Sequence, residues 1–138
     1  MKKPEINKLD DIARARAYER TGGTCEVLHC DKNAEHHRVN WHHYITRKNR
    51  ALRWVQENIF IVCAGHHTLG NDSFHLNPIW GRDMAKLLRG TAWESKIRKL
   101  SNHVNKHDYD TNLELMTMTL TAVIEFYESP LDSVAKVG

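Results

Sequence analysis

The chain has 138 residues, 41% hydrophobic and 27% charged, with a formal net charge of +3; this is the balance of one globular domain with a modest core, not of a disordered or fibrous chain. No apolar run approaches the roughly 18–20 residues a membrane span needs, and the polar start MKKPEINKLDD does not read as a secretory signal, so a cytoplasmic protein without a membrane partner is expected. Three cysteines are too few, and odd in number, for a disulfide framework.

In chain order, KLDDIARARAYER (residues 8–20) predicts a helix with Leu9, Ile12, Ala13 and Ala17 on one face, stopped by Thr21-Gly22-Gly23. Residues 24–40 are irregular, with Cys25 and Cys30 at a tight corner, and HRVNWHHY passes into a strand. The polar, basic ITRKNRALRWVQE then forms the extended loop of a hairpin, and the β-branched run NIFIVC (58–63) is the second strand. After the turn-rich TLGNDSFHLNP, helical sequence sets in. Ile79, Met84, Leu87 and Leu88 share a rough register, and Trp93, Ile97, Leu100 and Val104 form a stripe on a helix over 91–106. A last helix over 111–128 is apolar on most sides, which makes it either buried or dimer-forming, and so the candidate homodimer contact. Trp41, Trp54, Trp80 and Trp93 are read as core or hairpin packing. The expected architecture is α+β in a single domain, 1–138, with a core at 20–80 and a helical extension at 81–138.

Charge is unevenly spread. Residues 107–138 carry Asp108, Asp110, Glu114, Glu125, Glu128 and Asp132 against Lys136, a net −5, which leaves about +8 on the rest of the chain. A basic body points to a polyanionic partner, most simply nucleic acid. Within the hairpin loop, Arg47, Lys48, Arg50 and Arg53 stand together with no acid among residues 42–56.

Eight of the ten histidines fall between His29 and His75, among the three cysteines. Cys25-x4-Cys30 and Cys63-x2-His66 are two close pairs from distant segments, the arrangement from which tetrahedral zinc is commonly held. A structural zinc site of Cys25, Cys30, Cys63 and His66 is therefore expected, with His29 as the substitute for Cys30. His42, His43, His67 and His75 remain for a second ion held by imidazole and oxygen. Neighbours on a strand point to opposite faces, so one of His42 and His43 ligates while the other is free for proton transfer.

The order HHYITRKNR…ENIFIVCAGHH resembles the HNH endonucleases, in the phage and bacterial subset whose motif is folded around a zinc knuckle. That pattern is a histidine pair, a basic loop, an asparagine opening an apolar strand, then a Cys-x2-Cys/His pair followed directly by histidine. The likeness covers roughly residues 20–80. It implies a ββα-metal, treble-clef-like core with flanking helices, and a metal-dependent hydrolase that cleaves DNA phosphodiesters. His42 and His67 would ligate the catalytic ion (Mg2+, Mn2+, Ni2+ or Zn2+), with His67 at a helix start. His43 would be the general base, and Asn58 would hold the strand and the His43 ring. Many members place a third ligand four residues after the His67 position, where this chain has Asn71. His75 is preferred here, because imidazole suits a transition ion better than a neutral amide. Arg47, Lys48, Arg50 and Arg53 would grip the DNA backbone. The competing reading is a zinc-stabilised nucleic-acid-binding module without catalysis, which leaves His42, His43 and His67 without a task.

Overall fold

Helix α1 (Lys3–Thr21) begins five residues earlier than the apolar spacing marks, because Pro4 is tolerated in a first turn and the Lys2 N–H donates to Glu5 Oε1 at 2.8 Å. It ends at Gly22, which takes the left-handed conformation (φ 65°) and lets the Gly23 N–H close on the Tyr18 carbonyl at 2.9 Å. Residues 1–129 of the chain are described by this computed structural model; Asp132 and Lys136 of the acidic stretch lie outside them.

Strands β1 (Val39–His43) and β2 (Ile59–Cys63) pair antiparallel, in register from Val39 opposite Cys63 to His43 opposite Ile59. A lone two-stranded sheet is marginal in water, and here it is covered on both faces. Ile59 and Ile61 face α1 together with Trp54 and Met116. Phe60 and Val62 face the other way, into a cluster with Val27, Phe74, Trp93, Ile97, Leu120 and Val123. All five β2 residues are therefore buried, and the strand reads as a continuous apolar run instead of an alternating one.

Helices α2 (Pro78–Arg89), α3 (Thr91–Lys99), α4 (Tyr109–Leu115) and α5 (Leu120–Glu128) complete the mixed helix-and-sheet architecture. Three expectations are corrected. Ile79 and Leu87 are 77% and 68% exposed, and α2 instead buries Gly81 and Ala85, the side on which Phe74 lies. The helix expected over 91–106 stops at Lys99, so Val104 lies beyond it and is 62% exposed. The helix expected over 111–128 is two helices, because Thr119 caps α5 through its hydroxyl (Ala122 N–H at 3.2 Å) and the Glu57 carboxylate accepts the Leu120 N–H. That long-range cap ties α5 to the hairpin loop. Leu120, Val123, Ile124 and Tyr127 are buried within the chain. Among the described residues no helix is long and apolar enough to cross a membrane.

A partly buried ion trio ties α1 to α2. Glu26 bonds Arg20 (2.8 Å), Arg89 (3.0 Å) and the Ile61 N–H (2.8 Å), while both guanidiniums also donate to the Ile59 carbonyl. Burial works against ionised Glu26, but the Arg20 hydrogen bond and the Arg89 charge outweigh it and hold its carboxyl below the usual range.

Candidate metal centres and the histidine cleft

The first cluster is built by three segments. Val27–Cys30 turns back on itself, with the Cys30 N–H on the Val27 carbonyl at 3.0 Å and His29 in the left-handed conformation (φ 67°). Cys63 closes β2, and one turn later His66 comes round on a single π-helical turn, Gly65–Leu69. The ligand atoms of Cys25, Cys30, Cys63 and His66 all lie within 4.8 Å of one another. His66 Nδ1 stands 3.2 Å from Cys63 Sγ and 3.6 Å from Cys25 Sγ, and the His66 ring stacks on Trp80 at 5.8 Å. An ion bonded to sulfur at roughly 2.3 Å and nitrogen at roughly 2.0 Å spaces tetrahedral ligands roughly 3.3–3.8 Å apart, so this Cys3His cluster is at metal-binding distance. Burial foremost, with the Cys63 and Cys30 sulfurs adding to it, pushes the Cys25 thiol up to about 12; a cation bound among the three sulfurs would offset that and hold them as thiolates. Cys30, not His29, completes the set.

The second cluster lies on the other side of the same turn. His67 follows His66, and the chain then doubles back. The Gly70 N–H bonds the Gly65 carbonyl (2.8 Å), Phe74 N–H bonds His66 O (2.8 Å), and His75 N–H bonds His67 O (3.1 Å). Gly70 is required by close approach: a Cβ there would meet the Gly65 oxygen at 2.7 Å. This folding-back sets His75 Nε2 3.0 Å from His67 Nε2, and His42 joins them, the ligand atoms of all three falling within 4.8 Å of one another. Asn71 is exposed on the turn. Phe74 underlies the His42 ring at 4.6 Å. Burial, then the neighbouring His67 and His75, push the His42 imidazole down to about 3, so it is neutral with a lone pair to donate. His67 therefore sits in one isolated turn and not at the start of a continuous helix, since Gly70 and the bends that follow delay the next helix to Pro78.

His43 faces the opposite side of β1 from His42, as strand alternation requires. Its ring lies edge-on to Trp41 at 4.4 Å, and its Nε2 is 2.9 Å from the Arg53 carbonyl. A carbonyl only accepts, so Nε2 donates and Nδ1 keeps the lone pair. Burial foremost, with the Arg47 and Arg53 charges, pushes His43 down to about 4. Although they face apart, His42 and His43 line one cavity of about 400 Å³ at the open edge of β1, with Asn40, Trp41, Thr46, Arg47, His67 and His75.

Asn58 is fully buried, and its hydrogen bonds go to the loop: Oδ1 accepts the Ile45 N–H (2.7 Å), and Nδ2 donates to the carbonyls of Ile45 (3.0 Å) and Leu52 (3.1 Å). The contact that orients the His43 ring comes from Arg53 instead. Arg47, Lys48 and Arg50 are exposed and, with Thr46 and Arg53, line a cleft of about 720 Å³ that shares Thr46 and Arg47 with the histidine cavity. Arg53 differs from them. Its guanidinium is held bidentately by Asp10 (2.9 and 2.6 Å), which also accepts the Trp54 indole N–H at 2.8 Å. Burial opposes ionisation of Asp10, but those hydrogen bonds outweigh it and keep its carboxyl below the usual range. Trp54 and Trp93 are buried, and Trp41 and Trp80 half-buried. His36 and His37 are exposed, whereas His103 and His107 pack on Tyr127 (5.0 Å) and Phe126 (5.1 Å) of α5.

Nothing in the spacing of the sequence links Asp10 to residues 53 and 54, and its position beside the apolar α1 stripe was the one available sign. In comparisons with known proteins, no protein-family model, curated protein or solved structure matches this chain.

Proposed function

We propose that this chain is a metal-dependent endonuclease of the HNH type that hydrolyses DNA phosphodiester bonds, with zinc in the Cys3His cluster holding the turn that carries the second site. One observation carries the reading: three imidazoles converge at the edge of the cavity that His43 also lines, and a basic cleft opens directly from that cavity. The zinc assignment is supported by three sulfurs and one imidazole whose ligand atoms lie within 4.8 Å of one another.

His43 is the general base. With Nε2–H committed to the Arg53 carbonyl, its Nδ1 accepts the proton of the attacking water. His42, His67 and His75 hold the catalytic divalent ion, which supplies charge stabilisation at the phosphate and the leaving 3′ oxygen. Arg47, Lys48 and Arg50 take the flanking phosphates, so binding is salt-dependent and largely blind to sequence. Neutral nitrogen donors favour a first-row transition ion over magnesium.

The test is nicking of supercoiled plasmid by the zinc-loaded protein with added magnesium, manganese, nickel or zinc. Wild type cleaves with at least one ion, and His43→Ala loses roughly a hundredfold or more of the rate while retaining DNA binding. A wild type that binds DNA but cleaves with none of these ions leaves the zinc-stabilised binding module as the function. Equal cleavage by both proteins removes His43 as the base.

A further inference from the structure

We infer that Asp10, on the N-terminal helix, is a positioning residue for His43: acting through Arg53, it fixes which imidazole nitrogen carries the proton. The inference rests on reading His43 as the base.

The His43 ring lies edge-on to Trp41, and the hydrogen bond that selects its tautomer runs from Nε2–H to the Arg53 carbonyl at 2.9 Å. A peptide carbonyl in a loop can turn, and if this one turned the ring would lose the acceptor that selects its tautomer. Two consecutive side chains on either side of that peptide bond end on the same carboxylate. Arg53 donates from Nε (2.9 Å) and a terminal nitrogen (2.6 Å), and Trp54 donates from its indole at 2.8 Å. The guanidinium fork meets both carboxylate oxygens, and two parallel bonds restrain rotation as well as distance. The other arm of Arg53 reaches the Arg47 carbonyl at 3.3 Å and closes the basic segment on itself. The two partners are 17% and 14% exposed, so water competes little with the pair. The chain of contacts therefore runs from Asp10 to the Arg53 and Trp54 side chains, to the peptide between them, and to Nε2 of His43. Neutral imidazole free in water populates both tautomers; this arrangement leaves one, with the lone pair on Nδ1. Helix α1 is by this account part of the site, although it lies outside the stretch 20–80.

The experiment compares the zinc-loaded full chain with Asp10→Asn and Arg53→Met, the second keeping side-chain bulk and serving if the first does not fold. Long-range 1H–15N correlation spectra of 15N-histidine protein, with His43 assigned by its absence in His43→Gln, read the tautomer directly. Plasmid nicking gives kcat and KM separately. Expected are a single Nε2–H form in wild type and a mixture of tautomers in either variant. Zinc content holds in both variants, KM holds in Asp10→Asn, and kcat falls about 10- to 100-fold. A His43 signal that stays wholly Nε2–H in the folded variants overturns the inference, and does so whether or not wild type cuts DNA. A signal that becomes mixed, with a wild type that cleaves nothing, upholds the positioning role and removes the nuclease reading instead.

Discussion

His29 and the paired histidines of β1 show how single residues carry the cost of the site. His29 alone among the described non-glycine residues has a positive φ, 67°, and the turn it makes lets Cys30 rejoin Cys25. A left-handed residue bearing a side chain costs about 1–2 kcal/mol, of which glycine would return part after its larger unfolded-state entropy. His29→Gly should raise the unfolding free energy of the zinc-loaded protein by about 0.5–1 kcal/mol, at unchanged zinc content. A fall in zinc content would show that the His29 imidazole, and not the Cys30 thiolate, is the fourth ligand. His42 and His43 carry a different cost. They are held neutral with folded values of about 3 and about 4, against 6.5 for free histidine. Below pH 6.5 the unfolded chain then binds more protons than the folded one. Stability that is complete above 6.5 is lost as pH falls toward 4, at up to about 1.4 kcal/mol per pH unit for each ring. Protein holding one equivalent of zinc, which the thiolates take, should show a melting temperature that drops steadily from pH 7 to pH 5. In His42→Asn the drop should be shallower. An equal slope in the two would mean that zinc release, not the buried imidazole, sets the acid limit.

At the scale of elements, the segment between the strands is not a free loop. Asn58 satisfies the Ile45 N–H and two carbonyls from a fully buried position. From the other side Asn49 donates to the carbonyls of Leu100 and Ser101, at 2.7 and 2.8 Å. Asn58→Ala would leave the half-buried Ile45 N–H and carbonyl without that partner, while the Leu52 carbonyl keeps the Val55 N–H at 3.2 Å. At about 1–3 kcal/mol for each Ile45 group, relieved in part by water, it should cost about 2–4 kcal/mol in chemical denaturation of the zinc-loaded protein; a cost below about 1 kcal/mol would show that water reaches the loop freely. The same residue marks what a linear reading can see. An asparagine before a β-branched run, and the spacings Cys25-x4-Cys30 and Cys63-x2-His66, are local patterns, and they marked the second strand and the Cys3His cluster. His75 was legible only as a choice against Asn71, because its place depends on how Gly70 closes the π-helical turn. Glu57 on the α5 N-terminus was not legible at all, and Asp10 on Arg53 had only its place beside the apolar α1 stripe as a sign. They are contacts between elements 63 and 43 residues apart, and a charged side chain in a polar stretch has no pattern that names its partner. The division of the last helix and the early stop of α3 were missed for a related reason: apolar periodicity continues through Val104 and Met116, while a threonine cap and a distant carboxylate decide where helices begin.

For the whole molecule, the two-stranded sheet is the wall between two apolar clusters, and neither cluster closes without helices from outside residues 20–80. On one side α1 contributes Ile6, Leu9, Ala13 and Ala17 against Ile59 and Ile61. On the other, Trp93, Ile97, Leu100, Leu120 and Val123 cover Phe60 and Val62, and the Trp93 indole donates to the Glu57 carbonyl at 3.1 Å. Structural zinc contributes folding free energy of its own, so the core at 20–80 has a plausible claim to autonomy, and the claim is testable. A fragment of residues 20–80 would expose the fully buried Phe60, Ile59, Ile61 and Val62, each about 1.5–3 kcal/mol in favour of burial, while keeping one hairpin that is marginal alone. It would also lose Arg89 from the Glu26 trio, leaving that carboxylate with Arg20, and Asp10 from Arg53. The fragment is therefore expected to bind zinc through its cysteines yet give the narrow amide dispersion of an unfolded chain. The full chain with the same zinc should give a dispersed spectrum and a single cooperative melt. A fragment that folds on zinc alone would show that the metal outweighs both apolar clusters, and the helices would then be an appendage to the site instead of its walls.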